Sequence, residues 1–225
     1  AQLGVYSANY KVAILMSLFI QAFRYAAEPF FFSYAREKDA KAVYADVMKY
    51  FVIAIASLFL LIMLYIDIVI LMIGKDFREG AHVIPVLLIA YMFLGMYYNL
   101  SVWFKLTNNT KYGAFMAITG ALITLVMNYL LIPVLGYTGS AWATFACFGG
   151  MLLISYLLML KHYPIRYNIG KILAYLSVAF LLYLISKWPD WKMDLWKYAF
   201  NSVLMITYLC YVALMERKEL KRMLH

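Results

Sequence analysis

Val47-Met-Lys-Tyr-Phe-Val-Ile-Ala-Ile-Ala-Ser-Leu-Phe-Leu-Leu-Ile-Met-Leu-Tyr-Ile66 holds one charge, Lys49 near its start, and neither Gly nor Pro. Wound as an α-helix at 1.5 Å per residue, this stretch is about 30 Å long, the thickness of a bilayer's hydrocarbon core. Six further apolar runs of similar length lie at 12–35, 83–104, 112–132, 138–160, 169–186 and 195–215. Short connectors between them carry most of the charge, Pro and Gly. The expected fold is all-α: a polytopic transmembrane helix bundle of about seven spans.

Composition agrees. Of 225 residues, 66% are hydrophobic and only 14% charged, which excludes a water-soluble domain of this size. The net charge of +9 is read as a membrane feature, with the lipid bilayer and not nucleic acid as the partner. Lys and Arg in short loops mark the cytoplasmic face. One set of span ends holds Arg36, Lys38, Lys41, Lys105, Lys111, Lys161, Arg166, Lys171, Arg217, Lys218, Lys221 and Arg222. The other holds only Lys11, Lys75, Arg78, Lys187, Lys192 and Lys197. The C-terminus is therefore expected in the cytoplasm and Ala1 outside. An odd span count agrees, and a start on the outer face leads us to expect a piece of a longer protein.

The stretch Gln21-Ala-Phe-Arg-Tyr-Ala-Ala-Glu-Pro-Phe30 places Arg24, Glu28 and Pro29 inside the first span. Arg24 stands roughly 20 Å from Lys11 and roughly 18 Å from Arg36 along the helix, close to mid-membrane. A lone cation there costs about 2.5–3.5 kcal/mol on insertion scales, so it must face protein or a water-filled cavity. Glu28, one turn on, shares its helix face and can pair with it. Pro29 withholds the donor that the Tyr25 carbonyl needs, so a helix kink is expected there. Two compatible readings follow: an ion pair that staples the bundle, or a polar binding site at mid-depth. Asn99, Lys105 and Asn128 are weaker candidates for lining a pathway. Lys105 is expected to reach toward the interface, and each Asn to bond a neighbouring helix.

Gly139, Ala143, Ala146, Cys147 and Gly150 form a stripe of small residues in the fifth span, read as a helix-packing face. Trp103, Trp188, Trp191 and Trp196 lie near span ends, as in an interfacial aromatic belt. The three histidines lack HExxH spacing, and the chain has no GxSxG, P-loop or GxGxxG. Neither a metal site nor a cofactor is expected, and no residue is assigned a catalytic role. The two cysteines, each inside an apolar run, build no disulfide framework.

Three stretches resemble one family. Leu3-Gly-Val-Tyr-Ser-Ala-Asn-Tyr-Lys11, continuing into Ile20-Gln-Ala-Phe-Arg-Tyr-Ala-Ala-Glu-Pro-Phe-Phe-Phe32, is similar to the start of the second half of polysaccharide and lipopolysaccharide exporters. Asn128-Tyr-Leu-Leu-Ile-Pro-Val-Leu-Gly-Tyr-Thr-Gly-Ser-Ala-Trp-Ala-Thr144 resembles a connector of the same exporters. Asn99-Leu-Ser-Val-Trp-Phe-Lys-Leu-Thr-Asn-Asn-Thr-Lys-Tyr-Gly113 resembles the segment before that connector. The superfamily is that of the multidrug, oligosaccharidyl-lipid and polysaccharide exporters. The resemblance implies its oligosaccharide flippase branch, with this chain as the second of two lobes.

On that resemblance, residues 1–161 are five spans of the lobe, whose first helix is missing. Residues 162–225 are two additional spans and a basic cytoplasmic tail. The implied function is to flip a lipid-linked oligosaccharide on a polyprenyl pyrophosphate to the outer leaflet of a bacterial inner membrane, by alternating access, for surface polysaccharide assembly. The implied partners are that glycolipid and the missing N-terminal lobe. Arg24 would contact phosphate or sugar, with Glu28 as its counter-charge. The competing readings are a drug/cation antiporter of the same superfamily, a membrane polysaccharide polymerase or ligase, and a purely structural bundle.

Overall fold

A computed structural model of the chain describes residues 2–188, 194–217 and 219. Among these described residues eight α-helices follow in order: α1 (Gln2–Tyr34), α2 (Ala40–Leu64), α3 (Ile66–Ile70), α4 (Ile84–Leu106), α5 (Lys111–Leu135), α6 (Tyr137–His162), α7 (Ile169–Ser186) and α8 (Asp194–Met215). A 3-10 helix, Lys75–Val83, leads into α4. No strand occurs among the described residues. All helices but the five-residue α3 belong to segments long and apolar enough to cross a membrane. The chain is an all-α, multi-pass membrane protein, the architecture that lets every backbone group bond within its own segment.

Helix ends differ from the sequence reading in three places, the first being α2, which starts at Ala40 and not at 47. α1 starts at Gln2 and runs for 33 residues, about 50 Å, well beyond the hydrocarbon thickness. Pro133, expected in a connector, lies inside α5. Continuing the helix past it forfeits one backbone bond, whereas unwinding earlier would leave several groups unpaired at membrane depth.

Contacts divide the chain into two compact units: Ala1–Met48 with Ile70–Tyr167, and Lys49–Val69 with Asn168–His225. The boundary between these units falls at 167/168, and residues 49–69 join the second unit. The reason is a set of polar contacts that the apolar pattern does not reveal. The Asn201 amide donates to the Leu64 carbonyl at 2.6 Å, and the Tyr65 and Ser202 hydroxyls bond at 2.8 Å. Phe59 meets Tyr183 edge-on, with ring centroids 5.9 Å apart.

In the first unit a single residue, Gly136, joins α5 to α6. Its φ of 58° and ψ of −139° belong to a region that side chains with a Cβ avoid. Three residues on, a Cβ at Gly139 would stand 2.6 Å from the Leu131 carbonyl carbon and oxygen. The small-residue stripe does mediate helix packing here: Gly139 and Gly150 meet α5, and the Cys147 thiol donates to the Gly120 carbonyl at 3.3 Å. Ala143 is fully buried. Gly139→Val should cost about 1–3 kcal/mol by overpacking against rigid backbone. Thermal unfolding in detergent would register this as a lowered midpoint, and an unchanged midpoint would show that the α5–α6 turn adapts.

The tryptophans do not behave as one belt. Trp188 and Trp196 are exposed, as an interfacial role requires, whereas Trp103 is 1% exposed. Its indole stacks on His162 with the planes 9° apart, because the turn after α4 folds α5 and the end of α6 over it. Trp191 lies outside the described residues.

Candidate functional site

The site is built from α1 and α4, neighbours in the first unit. Their contacts occur in the same order along both helices: Tyr10 with Tyr91, Arg24 with Tyr98, Glu28 with Lys105. The two helices therefore run in the same direction. Two side chains fix α1. Near its start, buried Asn9 donates to the Val5 carbonyl at 2.8 Å and to the Phe77 carbonyl of the 3-10 segment at 2.7 Å. Near its end, the Tyr44 hydroxyl of α2 donates to the Phe31 carbonyl at 2.8 Å.

Between these anchors lie the charged residues singled out from the sequence. Arg24 Nε stands 3.5 Å from Glu28 Oε1, the i,i+4 pair that the spacing predicts. The same carboxylate oxygen accepts from Lys105 Nζ. Lys105, expected to extend toward the interface, instead turns to Glu28, because a half-buried carboxylate within reach is a stronger partner than a distant one in water. The Arg24 guanidinium lies 4.9 Å from the centroid of the Tyr98 ring, an arrangement that attracts a cation to the ring face.

A pocket opens here, lined among others by Phe23, Arg24, Glu28, Tyr98, Asn99 and Val102. Asn99 donates to the Gly95 carbonyl of its own helix at 3.2 Å, not to a neighbouring helix. Its buried Oδ1 has no hydrogen-bond partner among the described residues. Two cations share one carboxylate, so this cluster at the edge of the pocket holds one more formal positive charge than negative. The side chains of Arg24 and Lys105 are each 33% exposed and that of Glu28 29%, so both cations remain within reach of a ligand. Pro29 follows Glu28 directly, and α1 continues beyond it to Tyr34. Asn128, on α5, does not line the pocket.

The second unit holds a polar centre that the sequence reading missed. Lys49 and Glu216, buried to 4% and 1% exposure, pair at 3.0 Å. Lys171 reaches Glu216 at 2.9 Å and Glu219 at 3.3 Å. Lys49 also pairs with Glu219, and the Tyr175 hydroxyl donates to Glu216. Burial pushes the Glu216 carboxyl up, but hydrogen bonds from Tyr175, Lys171 and Lys49 outweigh it and hold the group at about 2. The available signal was a lysine inside one span together with two glutamates three residues apart beyond another. Each looked ordinary alone. Two cations and two carboxylates neutralise one another here, and this centre ties α2, α7 and α8 together.

Among the described residues no cluster of His, Cys, Asp or Glu has the arrangement of a metal site. The chain matches no known protein family, no curated protein and no solved structure.

Proposed function

We propose that this chain is one lobe of a transporter that carries an anionic lipid-linked oligosaccharide, of the polyprenyl pyrophosphate type, to the outer leaflet of a bacterial inner membrane. The observation that carries the reading is the sharing of one carboxylate, Glu28, by Arg24 and Lys105 in a half-open pocket of membrane-spanning helices. A pyrophosphate cannot cross hydrocarbon unaided. It needs cations at depth, and those cations need a counter-ion when the site is empty. Glu28 supplies the counter-ion, and the phosphate takes its place. The planar guanidinium of Arg24 suits bidentate phosphate binding, and the Lys105 ammonium adds a mobile point charge. On this reading the sugars travel in a polar cavity between two lobes while the polyprenyl tail stays in lipid, and rocking of the lobes exposes the site to each face in turn.

The resemblance of the three quoted stretches to polysaccharide exporters supports the same reading, and the excess of Lys and Arg at one set of span ends supports a cytoplasmic C-terminus. A cation antiporter would require a carboxylate free to bind its ion, and Glu28 is already engaged by two cations.

The test is complementation of a flippase-deficient strain by the full-length parent gene. Arg24→Ala and Lys105→Ala, expressed at wild-type levels, should each lose most surface polysaccharide, with at least about a tenfold reduction if each cation contributes roughly 1.4 kcal/mol to binding. Wild-type export in both variants would reduce the cluster to packing, and failure of the wild-type gene would overturn the flippase reading.

A further inference from the structure

Tyr6, Tyr10, Ser17, Gln21, Arg24 and Glu28 follow one another along α1 at intervals of four, seven, four, three and four residues. At 3.6 residues per turn they fall within an arc of about 60° and extend over about 33 Å. With Arg24 near mid-membrane, this polar stripe runs from one membrane face to just past the middle of the hydrocarbon layer. All six residues are half-buried, so the stripe follows the margin of the α1 packing face. On α4, Tyr91, Tyr98 and Lys105 recur every seven residues and hence share a face. They meet this stripe at Tyr10, Arg24 and Glu28. Tyr91 is buried and bonded to the Tyr10 hydroxyl, so it supports the Tyr10 ring while Tyr6, Tyr10 and Tyr98 stay partly open.

No hydrogen bond joins the side chains of Ser17 and Gln21, or the Tyr98 hydroxyl, to another described residue. In hydrocarbon an unpaired amide or hydroxyl costs several kcal/mol, so this stripe faces water or a polar ligand and not lipid tails. The chemistry along it is graded. Two cations and a carboxylate stand at one end. From there to the other end run open tyrosine rings, a primary amide and hydroxyls, uncharged groups that both donate and accept. That combination suits sugars: tyrosine offers an apolar face with a polar tip, matching a pyranose with its C–H face and rim of hydroxyls.

We infer that the α1–α4 stripe is a glycan track, in which Tyr98, Gln21, Ser17 and Tyr10 bind the sugar residues of the substrate whose phosphates sit at Arg24 and Lys105. This assignment rests on the function proposed above and adds what holds the sugars. The track from Tyr98 and Gln21 to Tyr6 is long enough for several rings, so it sorts substrates by their glycan and not by their lipid.

The experiment uses the full-length protein in lipid nanodiscs and two fluorescent ligands: a polyprenyl pyrophosphate bearing an oligosaccharide, and the same lipid pyrophosphate without sugar. Ser17→Ala and Gln21→Leu should each weaken the sugar-bearing ligand about tenfold or more, leave the bare pyrophosphate within about twofold, and keep a monodisperse elution profile. Arg24→Ala should weaken both ligands. Gln21→Leu is the safer variant for folding, since leucine matches glutamine closely in helix propensity. If both variants bind the two ligands as wild type does, or weaken them equally, the track is overturned while the phosphate site stands. If wild type binds neither ligand, the proposed function falls, and the track with it. A photoreactive group at position 21 that crosslinks to polypeptide, with no sugar-dependent protection, would show that protein covers the stripe, and this also overturns the inference.

Discussion

Glu216→Ala is expected to lower the unfolding midpoint of the protein in detergent by about 10 °C, the largest stability effect of any single change in the second unit. The substitution leaves Lys49, with a side chain 5% exposed, and Lys171 competing for Glu219 alone, and it removes the acceptor of the Tyr175 hydroxyl. Deleting one partner of a buried ion pair typically costs about 3–5 kcal/mol, and for a chain of this size each kcal/mol moves the midpoint by about 2–4 °C. Replacing Lys49 and Lys171 with Met together with Glu216→Leu should restore much of the loss, because an apolar cluster of similar volume needs no counter-ion. An unchanged midpoint in Glu216→Ala would show that water reaches the centre and screens it.

The same centre predicts a pH dependence. A carboxyl held at about 2 in the folded protein against an ordinary 4.5 stabilises the fold by about 3 kcal/mol wherever the unfolded chain is ionised. Its folded value is depressed, so the contribution is fully present above about pH 4.5 and is lost as pH falls toward 2. Unfolding midpoints measured from pH 7 downward should hold level to about pH 5 and then fall. In Glu216→Gln that fall should be much shallower; an equal fall in both proteins would assign the acid sensitivity to other carboxylates.

The second large effect concerns the site. On the proposed function, Glu28→Gln and Arg24→Met change affinity for a polyprenyl pyrophosphate in opposite directions. Glu28→Gln frees two cations from the carboxylate that occupies them, so binding should tighten about tenfold. Release should slow correspondingly, and export should fall even though affinity rises. Arg24→Met removes a donor and should weaken binding by about tenfold or more. Equilibrium binding in nanodiscs alongside export assays separates the two. If Glu28→Gln weakens binding as Arg24→Met does, the carboxylate orients the cations and does not compete with the phosphate.

Much of this molecule was legible in its sequence, for a reason peculiar to membranes. With no water at depth, backbone groups must pair within their own segment, so an apolar run of sufficient length has one structural outcome. The runs drawn at 169–186 and 195–215 coincide with α7 and α8 to within a residue. Arg24 and Glu28 were legible because a charge inside such a run has no ordinary explanation, and their four-residue spacing fixes a shared helix face. Gly136 and Gly139 stood out as part of a motif, although their reasons, a positive φ and a backbone contact, are geometric.

Partners from distant helices were not legible. Lys105 reads as a snorkelling residue at a span end, and only the parallel packing of α1 against α4 brings it to Glu28, 77 positions away. Lys49 looks like a tolerable charge at a span margin until the last helix brings Glu216 and Glu219 to it. Trp103 looks interfacial until the α4–α5 turn buries it. The sequence by itself determined which segments span the membrane and which charges stand inside them, because both depend on the cost of transferring one segment out of water. Tertiary structure alone decided which charges neutralise one another, which residues line the pocket and where the two units divide, because those depend on contacts whose spacing along the chain follows no period.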